Sequence, residues 1–191
     1  MPSDARPAAR RPSAAELAAA KNLTIPDLVR PGLSVLFSGI NPSLYSAAVG
    51  YHFARPGNRF WPALHRSGFT ARQLDPAEQE QILDLGLGIT NVVARATARA
   101  DELSGAELLA GGELLSAKVA TFRPRWLAVV GVTAFRVAFG ERKAAVGRQE
   151  HRLGATGVWV LPNPSGLNAS WTVPRLTEAF RELKMAADDS F

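Results

Sequence analysis

The feature that most constrains the fold of this chain is a series of short apolar segments that alternate with stretches of helical pattern. Four segments are almost continuously apolar, at residues 33–40, 86–93, 125–131 and 157–162. A strand that is buried on both faces has this pattern, and such strands form parallel sheets covered by helices on both sides. We therefore predict an α/β fold in three layers, α/β/α, with a short, mainly parallel central sheet of about four strands.

The stretches between these segments carry the signals of helices. Helices are predicted at residues 58–69, 75–86, 104–122, 132–139 and 173–187. The second of them begins with Asp75 as its cap and Pro76 in its first turn. Residues 43–53, which follow the first strand, are small or aromatic and are predicted to form a long loop.

The N-terminal residues differ in composition from the rest of the chain. Residues 1–22 are rich in Ala, Pro and Arg, and we expect a basic, partly disordered arm in which residues 1–12 have no fixed structure. Ser13 and Glu16 have the spacing of a capping box, which predicts a short helix to about Lys21. Residues 23–191 are long enough to form one domain with its own core.

Several kinds of functional site are excluded by composition. The chain of 191 residues contains no cysteine, so it has no disulfides, thiolate metal sites or iron–sulfur clusters. Its three histidines have no spacing typical of a zinc site. The sequence has no Walker A motif, no G-x-G-x-x-G after the first strand and no G-x-S-x-G. We therefore expect no metal and no cofactor.

Charge and hydropathy indicate the kind of partner. The net charge is +5 and the isoelectric point is about 10.2, which favours a polyanion. No apolar run reaches the ~18–20 residues that span a bilayer, and the N-terminus has no apolar core of a secretory signal. We expect a cytoplasmic protein without a membrane partner.

Polar residues follow the predicted strands at the point where a ligand would bind. In parallel α/β sheets the site lies beyond the carboxyl ends of the strands. Asn41-Pro42-Ser43 follows the first strand, Asn91 ends the second, and Asn163-Pro164-Ser165 follows the last. Each Asn-Pro pair could serve only as a turn. Amides, hydroxyls and aromatic rings at one sheet edge could instead bind a planar polar group and orient water against it.

Four motifs occur in order along the chain. They are GINPS at Gly39–Ser43, HFARPGNRFW at His52–Trp61, GITNVVARAT at Gly88–Thr97 and NPSGLN at Asn163–Asn168. Together they resemble the mismatch-specific uracil and thymine DNA glycosylases of the uracil-DNA glycosylase superfamily, over about residues 33–183. The resemblance implies a glycosylase domain at 23–191.

The resemblance also implies an activity. Such an enzyme flips uracil, and in some cases thymine or ethenocytosine, out of a mispair with guanine and hydrolyses its N-glycosidic bond, which leaves an abasic site. Flipping costs a few kcal/mol, and least for a mispaired base. The implied partner is double-stranded DNA with mismatched or damaged pyrimidines, bound by a monomeric repair enzyme associated with the nucleoid.

The resemblance assigns catalytic roles to residues at two strand ends. Asn41 matches the asparagine that positions the attacking water, and placement alone can contribute a large rate factor. Asn91 matches an asparagine of the thymine-acting members and could read the base or help to hold water. Asp84 and Asp101 are further catalytic candidates, because either could act as a carboxylate base if it pointed inward.

Base recognition is expected to involve residues of the first and second motifs. Phe53 matches the aromatic ring that stacks on the flipped base, an interaction worth about 1–3 kcal/mol, although a core position would also suit a Phe. Backbone groups of Ile40 and Phe53 would bind the pyrimidine edge, and Gly39 would permit close approach. Ser43 stands where relatives usually have Gly, and could narrow the pocket or add a hydroxyl.

The last motif resembles the segment that replaces the flipped base. Leu167 would insert into the duplex as an apolar wedge, unless it is a buried loop residue. Gly166 and Asn168 would face the opposite guanine, and Asn163 and Ser165 complete the loop. Ala169 stands where the family has Arg. The sequence does not indicate how the missing contact is replaced, although Trp171 could contribute.

Two other functions remain open from the sequence. One is a mismatch- or damage-binding protein on the same fold that lacks hydrolysis. The other is a small-nucleotide- or phosphate-binding α/β protein whose strand-end Ser and Gly residues cradle phosphate. The second alternative leaves Leu167 without a role and predicts no affinity for duplex DNA.

Overall fold

The computed structural model describes residues 11–189 and contains one central sheet of five strands. The strands are β1 (Val35–Gly39), β2 (Leu87–Asn91), β3 (Trp126–Val130), β4 (Gly147–Leu153) and β5 (Thr156–Leu161). Their order in the sheet is β2-β1-β3-β5-β4. All neighbouring strands are parallel except β4, which pairs antiparallel with β5. The prediction of a mainly parallel α/β sheet is confirmed.

The fifth strand, β4, was not predicted. Its sequence GRQEHRL has no apolar run, and its residues are alternately half-buried and exposed in the structure. A charged edge strand of this kind protects a sheet from pairing with other chains. Hydrophobic periodicity detects only strands that face a core, so the sequence indicated four strands rather than five.

Six α-helices of the described residues precede, connect or follow the strands. They are α1 (Ala14–Ala19), α2 (Leu44–Val49), α3 (Phe60–Arg66), α4 (Gly105–Phe122), α5 (Val132–Ala138) and α6 (Val173–Asp188). Two 3₁₀ helices lie at Pro76–Leu85 and Ala100–Glu102. The segment predicted as an α-helix from Asp75 is therefore a 3₁₀ helix, although Asp75 caps it as expected.

The sheet is covered on both faces, which confirms the three-layer prediction. Alternate residues of β1 and β3, such as Phe37 and Ala128, pack with α3 and α6 in one core cluster. Their sequence neighbours, such as Leu36 and Leu127, pack with α4 and α5 in another. Within residues 11–189 no helix is both long and apolar enough to cross a membrane.

The structure begins within the predicted N-terminal arm. Ser13 and Glu16 form the expected capping box of α1. Ala20, just after this helix, is fully buried in a small cluster with Ile25, Ala47 and Ala96. The expected disorder of residues 1–12 falls almost wholly outside the described residues.

The helix α4 contains two glycines that permit close packing. A Cβ atom on Gly111 would lie 2.4 Å from the carbonyl oxygen of Val92, and one on Gly112 would lie 2.1 Å from that of Ala138. These distances are far below van der Waals contact, so α4 can approach the segment after β2 and the end of α5 only because both side chains are absent.

We expect Gly112→Ala to destabilise the protein, because its methyl group would overlap a backbone carbonyl that cannot move aside. A loss of about 1–3 kcal/mol in the free energy of unfolding is typical of such overpacking. Gly105→Ala in the same helix is the control, since the nearest atom to its Cβ lies 4.0 Å away. Urea denaturation measures both, and equal stabilities for the two variants would contradict the packing assignment.

Candidate active site

A cavity of about 510 Å³ lies at the carboxyl ends of the parallel strands. It brings together most of the residues that the sequence singled out, namely Ile40, Asn41, Ser43, Phe53, Asn91, Asp101, Asn163, Ser165, Leu167 and Asn168. Gly39 and Gly166 adjoin lining residues in the sequence without lining the cavity themselves. Asp84 is the exception.

Asp84 is not near the cavity. It is an exposed residue of the 3₁₀ helix that precedes β2, so it lies towards the amino end of that strand. The cavity is at the opposite end. The structure therefore does not support Asp84 as a catalytic carboxylate.

Asp101 lines the cavity but is bound to a neighbouring side chain. Its carboxylate accepts a 2.5 Å hydrogen bond from the guanidinium of Arg99, and both side chains are largely exposed to solvent. A paired, solvated carboxylate at the rim is a poor general base. It is better placed to fix the guanidinium of Arg99 at the cavity entrance.

The side-chain amide of Asn41 has a defined orientation. Its nitrogen donates hydrogen bonds to the carbonyl oxygen of Arg95 (3.0 Å) and to the hydroxyl of Thr97 (2.8 Å). A carbonyl can only accept, so the nitrogen must face Arg95. Thr97 in turn donates to the carbonyl of Arg99 at 2.7 Å. No other described residue donates to the amide oxygen of Asn41, which is therefore available in the cavity as an acceptor.

The loop after β2, whose Arg95 carbonyl and Thr97 hydroxyl bind the amide of Asn41, is itself fixed by an ion pair. Arg95 forms a bidentate pair with Glu107 at 2.6 and 3.1 Å, and Glu107 also caps α4 together with Ser104. The guanidinium hydrogen bond and the capping amide lower the pKa of Glu107 to about 2. The carboxylate is thus ionised across the physiological range, and it ties the loop after β2 to the start of α4.

Phe53 forms one wall of the cavity in a constrained conformation. Its ring stacks on Phe60, with 4.0 Å between ring centroids, and its φ is +53°. This left-handed region is unfavourable for a bulky residue. The neighbouring peptides impose it, since the backbone N–H of His52 donates to Gln79 and that of Ala54 donates to the hydroxyl of Ser46.

Gly39 leaves room for two side chains of the cavity. A Cβ atom at this position would lie 2.5 Å from the amide oxygen of Asn91 and 3.4 Å from the ring of Phe53. Gly39 and Asn91 are paired across β1 and β2. The amide of Asn91 makes no hydrogen bond within residues 11–189, so its donors and acceptor can bind a ligand beside Phe53.

The role of Ser43 differs from the predicted one. The segment after Asn41-Pro42 is not a long loop from residue 43, because Ser43 caps the helix α2 by accepting from the backbone N–H of Ser46. Its hydroxyl also donates to that of Ser46 at 3.1 Å. Ser43 still lines the cavity, but its hydroxyl is engaged in the cap.

The loop from Asn163 to Asn168 projects at the cavity mouth. Within this loop, the backbone N–H of Ser165 donates to the side-chain oxygen of Asn163. The side chain of Asn168 donates to the carbonyl of Asn163, and the backbone N–H of Asn168 donates to the carbonyl of Ser165. Leu167 is 74% exposed, so it is not a buried loop residue. A Cβ on Gly166 would lie 2.7 Å from the carbonyl oxygen of Gly57, which places this loop against the segment before α3.

Sequence reasoning missed three residues that organise the site. Thr97 and Arg95 orient Asn41, and Arg59 binds the carbonyls of the loop that carries Leu167. All three lie within the recognised motifs, but they act through backbone carbonyls or distant side chains. Arg59 follows the turn residues 56–58 and precedes the aromatic pair 60–61, and this position was the only signal of its role.

The comparisons with known proteins agree with this geometry. The model of the uracil DNA glycosylase superfamily matches residues 26–184. The chain belongs to this superfamily. Among solved structures, it is similar to the solution NMR structure of a protein from Methanosarcina acetivorans described as a "putative Uracil DNA glycosylase". The two chains are 18% identical, with a TM-score of 0.57 over 85% of this chain and 98% of the other.

Membership of the uracil DNA glycosylase superfamily supports a general assignment. It supports DNA as the substrate, DNA repair as the process and glycosylase hydrolysis as the chemistry. The similar solved structure supports the fold alone, because the sequence identity is low. Among the described residues, no three His, Cys, Asp or Glu side chains are grouped so that they could hold a metal ion.

His52 is a buried titratable group that lines the cavity. It is 2% exposed, and its Nε2 lies 3.0 Å from the carbonyl oxygen of Pro26, so this nitrogen carries the proton. Burial lowers the pKa of His52 from its usual 6.5, and the charge of Lys118 lowers it further. The hydrogen bond to Pro26 and the charge of Asp27 oppose this shift only in part.

We expect the protein to lose stability as the pH falls below 6.5, because His52 binds a proton more readily in the unfolded chain than in the folded one. The loss should level off below the lowered pKa. His52→Gln should reduce this part of the pH dependence. Thermal melting at several pH values measures it, and an identical pH profile for wild type and His52→Gln would contradict the assignment.

Proposed function

We propose that this glycosylase flips uracil mispaired with guanine out of duplex DNA and hydrolyses its N-glycosidic bond to leave an abasic site. Thymine and ethenocytosine opposite guanine are further substrates in this proposal. The observation that carries it is the amide oxygen of Asn41, held available in a cavity beside the ring of Phe53.

Asn41 is proposed to position the attacking water. Its nitrogen is occupied by Arg95 and Thr97, so only its oxygen can accept a hydrogen bond from that water. An amide is a weak base, which suits a reaction in which the C1′–N1 bond breaks before water attacks. The sugar is then an oxocarbenium-like electrophile, and the water needs placement more than deprotonation. No metal ion is required.

The flipped base is proposed to lie against Phe53. Ring stacking contributes about 1–3 kcal/mol and does not depend on base identity. Selectivity would come from polar groups around the ring. The backbone N–H groups of Ile40 and Phe53 donate to no other described residue, so both can bind pyrimidine carbonyls. The unpaired amide of Asn91 can read the remaining edge.

The opposite strand is proposed to meet the loop at 163–168. Leu167 would fill the space that the flipped base leaves, while Gly166 and Asn168 face the guanine. A G·U pair is less stable than an A·U pair, so flipping from the mispair requires less energy and gives part of the selectivity. Ala169 offers no phosphate or guanine contact.

The proposed product is an abasic site with an intact strand. Glycosylases that also cleave the strand use an amine nucleophile to form a Schiff base with the sugar. Among the described residues that line the cavity there is no lysine. Lys118 lies outside it and is bound to Asp27 and Thr90. We therefore propose a monofunctional enzyme. We also propose, as a separate point, that it acts as a monomer.

We expect Asn41→Ala to reduce the single-turnover rate on a U·G duplex by about a hundredfold or more, because the water is no longer placed. Binding of the duplex should change little, since phosphate contacts dominate affinity. Thr97→Val should give a smaller loss, because it keeps its shape but no longer orients the amide. A rate for Asn41→Ala within about twofold of wild type would exclude Asn41 from catalysis.

Leu167→Ala should weaken action on U·A more than on U·G, because more pairing energy opposes flipping of the well-paired base. The slope of the logarithm of the binding constant against the logarithm of salt concentration, about −0.9 per phosphate contact, should be unchanged.

Leu114→Ala, at an exposed position on α4, is the matched control. Thermal melting should show little change for either variant, whereas truncation of a core Leu costs about 2–5 kcal/mol. A large loss of stability in Leu167→Ala would refute the wedge role.

A further inference from the structure

The guanidinium of Arg59 binds four backbone carbonyls of the segment that carries Leu167. Its Nε donates to Pro164 at 3.4 Å, its Nη1 donates to Trp171, and its Nη2 donates to Ser165 and, at 2.8 Å, to Asn168. The backbone N–H of Arg59 also donates to Pro164 at 3.0 Å. One side chain therefore bonds the segment on both sides of Leu167.

This use of an arginine is not a salt bridge. No carboxylate pairs with Arg59 anywhere in residues 11–189, and its charge is held by carbonyl dipoles alone. A guanidinium carries five donors in a rigid, planar fork, so it can satisfy several carbonyls at once. Those carbonyls belong to buried or half-buried residues that flank the exposed tip of the segment at Gly166 and Leu167.

Arg59 also links this segment to the proposed base site. It immediately precedes Phe60, whose ring stacks beneath Phe53. Gly57, two residues before Arg59, contacts Gly166 so closely that a side chain on Gly166 would not fit. The short segment from Phe53 to Phe60 therefore touches both the wall of the cavity and the loop at its mouth.

We propose that Arg59 is a positioning residue that holds Leu167 in the conformation needed to enter the duplex while the base occupies the cavity. This inference rests on the proposed function, since it assigns Leu167 the role of the wedge. Ordering the loop before DNA binds removes an entropy loss from the flipping step. Arg59 itself touches no reacting atom.

Two substitutions of Arg59 separate its geometry from its charge. Arg59→Lys keeps the positive charge, but a compact ammonium with three donors cannot reproduce the fork over four carbonyls. Arg59→Met removes the charge as well. Arg66→Met is the matched control, because Arg66 is an exposed residue at the other end of the same helix, α3.

The first readout is hydrogen–deuterium exchange of the DNA-free protein, which needs no activity. We expect amides at 163–171 to exchange about tenfold faster or more in both Arg59 variants, and at the wild-type rate in Arg66→Met. Unchanged exchange in this segment would overturn the positioning role. Faster exchange throughout β1 and β3 would also overturn it, because Arg59 would then be a residue of general stability.

The second readout is a double-mutant cycle of Arg59→Lys with Leu167→Ala, measured as the single-turnover rate on a U·G duplex. Each single variant should lose about tenfold, and the double variant should lose little more than either, because Arg59 acts through Leu167. Losses that multiply would overturn the inference. A wild-type protein that releases no base would instead refute the proposed function, and the exchange experiment would still decide whether Arg59 orders the loop.

Discussion

The site depends on parallel pairing that continues beyond the ends of β1 and β2. The backbone N–H of Val92 donates to Gly39 and that of Val93 donates to Ile40, each at 2.9 Å, and Thr97 donates to Pro42 at 3.2 Å. The two loops therefore leave the sheet side by side. Only this arrangement brings the amide of Asn41 within reach of Arg95 and Thr97, which fix its orientation.

The same segments are joined to the rest of the molecule by a few polar contacts. The pair of Arg95 with Glu107 ties the second loop to α4, and Arg59 ties the loop of Leu167 to α3. Stacking of Phe53 on Phe60 connects the cavity wall to the core below α3. The helices α3 and α4 and the core thus fix the positions of the loops that form the cavity, as preorganised catalysis requires.

Much of this could be predicted from the sequence, but contacts between distant residues could not. The apolar runs predicted β1, β2, β3 and β5, whereas the polar edge strand β4 left no such signal. Residues 43–53 were predicted to form a long loop, because Asn41-Pro42 favours a turn and the residues that follow are small or aromatic, so the helix α2 was missed. Asp84 was a wrong candidate, and its position just before the strand predicted at residues 86–93 already placed it towards the amino end of that strand rather than the carboxyl end.

In the candidate site, too, some residues could be predicted from the sequence and others could not. Strand-end position and motif resemblance indicated Asn41, Asn91, Phe53 and Leu167, all of which reach the cavity. Neither indicated Arg59, because its acceptors are backbone carbonyls more than a hundred residues further along the chain. A carbonyl carries no residue-specific signal, so only the folded structure shows that Arg59 and the loop of Leu167 act together.

The most direct test is base release by the purified protein from duplexes that contain U·G, U·A, T·G or ethenocytosine·G, and from single-stranded uracil DNA. The free base is identified by mass spectrometry, and strand breaks are compared before and after alkali. The account predicts free uracil from U·G at a higher rate than from U·A, with strand breaks only after alkali. Binding of the U·G duplex without release of any base, from any of these substrates, would contradict it.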